Sequence, residues 1–161
     1  MKLRNDASAL ESIPLKLVIV AVIAGLSIIP AADALESMRN KDFVGRAQLQ
    51  IEHIAHAAQV VAMEGPGSVR TLSLDFSSEG SVGFFRLTLG DSEGEAAMNC
   101  VALKLNTGAY LTCMVDDPPA WLRGYAGEGL DVFNPVFDLR IENRLDGESG
   151  YILVEAGPWT S

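Results

Sequence analysis

At 161 residues the chain is long enough for one ordinary domain with an attached helical segment. It is 48% hydrophobic yet carries a formal net charge of -9, and the two features are segregated: residues 1–63 hold six Lys/Arg against six Asp/Glu, residues 64–161 six against fifteen. So acidic a C-terminal part argues against nucleic-acid binding, which needs clustered Lys/Arg, and against docking on anionic lipid. Two cysteines are too few for a disulfide scaffold and lack zinc spacing.

The chain opens on Lys2 and Arg4, followed by the polar "NDASAL" and by Glu11 and Ser12. An uncharged run then extends from Leu17 to Ile29, interrupted only by Gly25 and Ser27. That run is shorter than the roughly 20 residues that span a hydrocarbon core. Ile13 to Ala32 is long enough if Lys16 carries its ammonium to the interface. Pro14 is expected to start a helix, and Pro30 to kink or interrupt one. "PAADALES" also offers a small-x-small cleavage site ending at Ala34, as in a secretory signal. Glu11 at the mouth of the apolar run is unusual for such a signal.

The next segment places Val44, Ala47, Ile51, Ile54, Ala58 and Val61 at alternating spacings of three and four, the stripe of an amphipathic helix. "EGPG", with Gly65 and Pro66, ends it. His53 and His56 fall on the opposite face, and two histidines without a third ligand make no metal site.

Beyond residue 66 the apolar period changes to two. "VRTLSLDF", "VGFFRLTLG", "AMNCVALKLNTG", "AYLTCMV", "PVFDLRIENR" and "YILVEAG" predict six strands, with Val69, Leu72, Leu74 and Phe76 on one face of the first. The expected fold class is α+β. A long helix, hydrophobic over 7–34 and amphipathic over 35–64, packs on an acidic antiparallel sheet, sandwich or barrel over 65–161. Cys100 and Cys113 flank the "LNTGAY" turn, close enough in a hairpin for a cross-strand disulfide if the register allows. Residues 116–135, rich in Pro and Gly, form the candidate partner loop, with Trp121, Tyr125 and Phe133 as contact residues. The acidic "GDSEGE", with Asp91, Glu93 and Glu95, lacks the full calcium-loop pattern. No phosphate-binding loop, no nucleophile motif and no N-x-S/T sequon is present, so neither an enzyme nor a cofactor is expected.

Lys2 and Arg4, then "DASALES", then an apolar helix resemble the N-terminus of archaeal type IV pilins and archaellins, whose class III signals are of the "GQxALE" type. The "GPGSVRTLSLDF" passage resembles the helix-to-strand junction of the same family. The resemblance covers roughly residues 2–63. It implies a leader over 1–6, cut between Asp6 and Ala7 by a prepilin-type peptidase, with Glu11 the fifth mature residue. Asp6 departs from the glycine or alanine usual before the cut, and Lys16 from the usual helix core. The family's helix lies in the membrane before assembly and in a filament core afterwards. That implies assembly through Glu11, Leu17, Val18, Ile19, Val22, Ile23 and Leu26 with copies of itself or other pilin-like subunits, the β part facing outside the cell. A monomeric membrane-anchored binding module and a plain secreted domain cut after Ala34 remain the alternatives.

Overall fold

A computed structural model describes residues 7–90, 98–126, 128–146 and 149–157. Asp6, Asp91, Glu93 and Glu95 lie outside them, as do the side chains of Ala7 and Glu11. One helix, α1, spans Ala7–Glu64. Pro14 therefore sits inside it instead of starting it, and Pro30 does not interrupt it. Each proline lacks an N–H, so the carbonyls four residues earlier, those of Leu10 and Leu26, lose their ordinary helical donors. Helix formers a little further out carry the helix across, Leu10, Leu15 and Lys16 around Pro14 and Leu26, Ala31 and Ala32 around Pro30.

Among the described residues eight strands follow: β1 Val69–Asp75, β2 Phe84–Leu89, β3 Cys100–Leu105, β4 Tyr110–Met114, β5 Leu122–Arg123, β6 Leu130–Val132, β7 Val136–Asp146 and β8 Ser149–Gly157. They form two four-stranded sheets, ordered β1-β7-β8-β5 and β4-β3-β2-β6. Every neighbouring pair is antiparallel except β5 with β8. The α+β expectation holds, with that parallel pair added. All six predicted strands are present, and β5 and β6 lie within the segment read as a loop.

By contacts the chain divides into two units, Met1–Met38 and Arg39–Ser161. In the second, the helix contributes Phe43, Ala47, Ile51, Ile54, Ala55, Ala57, Ala58 and Val61 to one core shared with both sheets. The stripe is thus wider than the sequence spacing implies, and Phe43, not the half-buried Val44, opens it. Leu72 and Leu74 of β1 face this core with Phe76. Val69 does not: strand alternation puts it with Thr71 on the outer face, and it is exposed.

The helix ends as "EGPG" predicts. Gly65 adopts a φ of 91° and Gly67 one of 88°, the left-handed conformation that glycine takes at no steric cost. The last carbonyls are then satisfied from the sheet side. Ser68 Oγ donates to Val61 O at 2.8 Å. Asn143 Nδ2, from β7, donates to Val61 O at 3.1 Å and to Ala62 O at 3.3 Å.

Gly90 is a further position where the backbone needs glycine. Its φ is 73° and a β-carbon there would strike the Leu122 carbonyl. Gly90→Ala is expected to lower stability by about 2 kcal/mol, from left-handed strain plus displacement of β5. A denaturant midpoint unchanged from the parent would contradict this packing.

Candidate functional site

The first candidate surface is the apolar part of α1. Every described side chain from Leu15 to Met38 is exposed, including Leu17, Val18, Ile19, Val22, Ile23 and Leu26. The helix is long and apolar enough to cross a membrane. Exposed apolar area on this scale exceeds the few hundred Å² usual on the surface of a soluble protein. The core of the second unit includes no described residue before Phe43. Lys16 is exposed near the start of the apolar stretch, with the reach to place its ammonium at an interface. Glu11, the other charge the sequence singles out here, has its side chain outside the described residues.

The second candidate is the 116–135 segment. Trp121, Tyr125 and Phe133 are 48%, 81% and 65% exposed. The segment is held through its backbone and small apolar residues: Ala120, Leu122 and Val132 are buried, and Trp121 O accepts from Ile152 N at 2.8 Å. Its aromatic side chains therefore stand open to a partner. The Arg123 guanidinium lies 5.9 Å from the Trp121 ring and 5.4 Å from that of Tyr151, a layered cation–π arrangement. Beside it an open cleft of about 200 Å³ is lined by Pro118, Pro119, Trp121, Asn143 and Tyr151 together with the helix end at Ala62. Sequence reasoning finds the three aromatics but not the cleft, because Asn143 and Tyr151 reach it from strands remote in the chain.

Tyr151 also borders a charged ladder on the outer face of the first sheet. Arg144 Nε and Nη2 donate to Glu142 at 2.9 and 3.2 Å, and Arg140 Nη2 donates to it at 2.9 Å. The Arg144 hydrogen bond, with the two positive charges, holds the Glu142 carboxyl below its ordinary pKa.

The cysteines are both free, and the expected disulfide is corrected by the register. Cys100 pairs with Met114 and Val101 with Cys113, so the thiols are one residue out of step. Side chains one residue apart along a strand point to opposite faces of the sheet. Cys113 packs against the core, and Cys100 is buried on the other side. Burial is the main cause that raises the pKa of both thiols, with nearby acidic groups adding to it. Both groups are thereby less reactive than a free thiol at neutral pH.

His53 and His56 are exposed on the helix face away from the core. Among the described residues no three His, Cys, Asp or Glu side chains are grouped to hold a metal ion. No family model, curated protein or solved structure matches the chain.

Proposed function

We propose that this chain is a non-catalytic structural subunit of a cell-surface filament, resembling archaeal pilins. Residues 7–34 hold it in the membrane before assembly and pack against other copies, or other pilin-like subunits, afterwards. The acidic β part lies outside the cell. The observation that carries this reading is the uninterrupted exposure of apolar side chains from Leu17 to Leu26 in a chain whose core closes without them. Apolar surface left in water costs about 25 cal/mol per Å², so such a helix requires lipid or neighbouring helices. The charge distribution supports the same reading, because the excess of Asp/Glu over Lys/Arg falls entirely beyond residue 63, away from any lipid.

The amino terminus of the protein purified from native membranes tests this. Intact mass is expected to show loss of residues 1–6, the cut falling between Asp6 and Ala7, by a prepilin-type peptidase. A freely dissolved product starting at Leu35 overturns it. The exposure of Trp121, Tyr125 and Phe133 favours one second reading, a membrane-anchored binding module. That module would keep its leader and remain monomeric.

A further inference from the structure

Asn143 is buried, and its side-chain N–H groups donate to Val61 O and Ala62 O at the end of α1. Its side-chain oxygen is left over, for among the described residues no donor reaches Oδ1. Nor is that atom sealed in. It keeps some open surface, and the open space that Asn143 lines is the cleft of about 200 Å³. A β-carbon added at Gly150 would stand 3.9 Å from Oδ1, so that glycine leaves room in front of the acceptor. A buried acceptor, fixed in orientation by its own amide bonds and turned to a cleft, orients a ligand that can donate.

The rest of the cleft narrows the choice. Its walls are poor in donors: Pro118 and Pro119 have no N–H, Ala120 N donates to Val115 O at 3.2 Å, and Ile152 N donates to Trp121 O at 2.8 Å. Among the described residues no charged side chain lines it. An anion would face Oδ1, the negative end of α1 at Ala62 and the acidic excess of the β part. A cation would find no carboxylate, and the Arg123 guanidinium already lies 5.9 Å from the Trp121 ring and 5.4 Å from that of Tyr151. A wholly apolar ligand would bury Oδ1 without a donor. A proline-rich peptide, a common occupant of aromatic grooves, brings carbonyls where N–H groups are needed. The ligand that fits is uncharged, carries hydroxyls and has one apolar face.

We propose that this cleft binds one ring of a neutral saccharide. A hydroxyl of the ring donates to Asn143 Oδ1, and its C–H face lies against Pro118, Pro119 and Trp121 at the rim. The faces of aromatic rings are electron-rich and attract the slightly positive C–H hydrogens of a sugar. The cleft is smaller than the roughly 300–1,000 Å³ of pockets that enclose a drug-sized ligand, which limits it to a single ring. Further rings of a glycan extend into solvent past Trp121, which is 48% exposed. The site belongs to the β unit and goes beyond the proposed function, since it holds whether the chain assembles or stands alone in a membrane.

The test uses the full chain in phosphocholine micelles, which carry no sugar. The probes are the methyl pyranosides of glucose, galactose, mannose and N-acetylglucosamine. At least one is expected to bind at about 1–10 mM, a strength within reach of a single small ring. Binding is expected to shift the NMR signals of the Gly150 amide and the Trp121 indole and to leave those of β4 in place. Gly150→Val puts a strand-favouring side chain into the cleft with only ordinary contact at its β-carbon. It is expected to weaken binding at least about tenfold with no fall in the denaturant midpoint. Trp121→Ala, at an exposed position, is expected to weaken it about three- to tenfold. No shift at Gly150 and Trp121 with any of the four glycosides at about 100 mM overturns the proposal. So does unchanged binding in both variants, or tighter binding of glucuronate, methylguanidinium or a blocked triproline peptide.

Discussion

Replacing Ile19 by aspartate is expected to abolish recovery of the protein in membranes or assemblies while leaving the β unit folded. Ile19 lies in the stretch from Leu17 to Leu26, where the exposed side chains are otherwise uncharged. On insertion scales aspartate at a helix centre costs about 3 kcal/mol and isoleucine contributes about -0.5, a difference of roughly 3.5 kcal/mol. At about 1.4 kcal/mol per tenfold, that shifts the partition by more than two orders of magnitude. Packing among copies is no refuge, because a buried carboxylate without a partner is at least as costly there. Since the core begins at Phe43, the far-UV and near-UV signals of the β unit should be those of the parent. Leu17→Asp should behave in the same way. Normal assembly with either change would remove the support for a helix that works by apolar contact.

Much of this architecture is legible in the chain because it rests on local patterns. The alternation from Leu72 to Phe76 and the stripe from Ala47 to Val61 each follow from one element meeting one core. The Gly65-Pro66-Gly67 stop needs only the backbone freedom of its glycines. What escapes is non-local. Whether Cys100 can reach Cys113 depends on a one-residue offset set by the hairpin register, and residue types near the turn do not encode it. Gln50 reads as an ordinary polar residue of a helix, yet its amide occupies the edge of β1. The aromatic segment from Trp121 to Phe133 is legible as a surface but not as the wall of a cleft. Two short strands, β5 and β6, hide there because two or three residues carry no period.

Asn143 is the clearest case of a residue whose role only the fold reveals, and Asn143→Ala is expected to cost about 3 kcal/mol. It is one of the two polar or charged residues among the described ones that are buried, 7% exposed in the middle of β7. Its amide serves two carbonyls at the end of α1. Val61 O retains Ser68 Oγ after the substitution. Ala62 O has no such reserve, because its helical donor would be the N–H that Pro66 lacks. Left without the Asn143 amide it becomes an unsatisfied acceptor, at a cost of about 1–3 kcal/mol. The vacated side-chain volume adds a smaller cavity cost. The backbone bonds from Gly67 N to Asn143 O and from Asn143 N to Ser68 O, at 2.8 and 3.0 Å, survive the change, so the loss isolates the side chain. Asn143→Asp separates this account from simple packing. It keeps nearly the same volume, cannot donate when ionised, and sets a negative charge against the negative end of the helix. It should therefore be less stable than Asn143→Ala at neutral pH and recover as acid protonates the carboxyl, the sign expected for a group whose folded-state pKa is raised. Denaturant midpoints of the three proteins across about pH 4–8 check the order. Were aspartate tolerated as well as asparagine throughout, the helix end would be held by its apolar stripe alone.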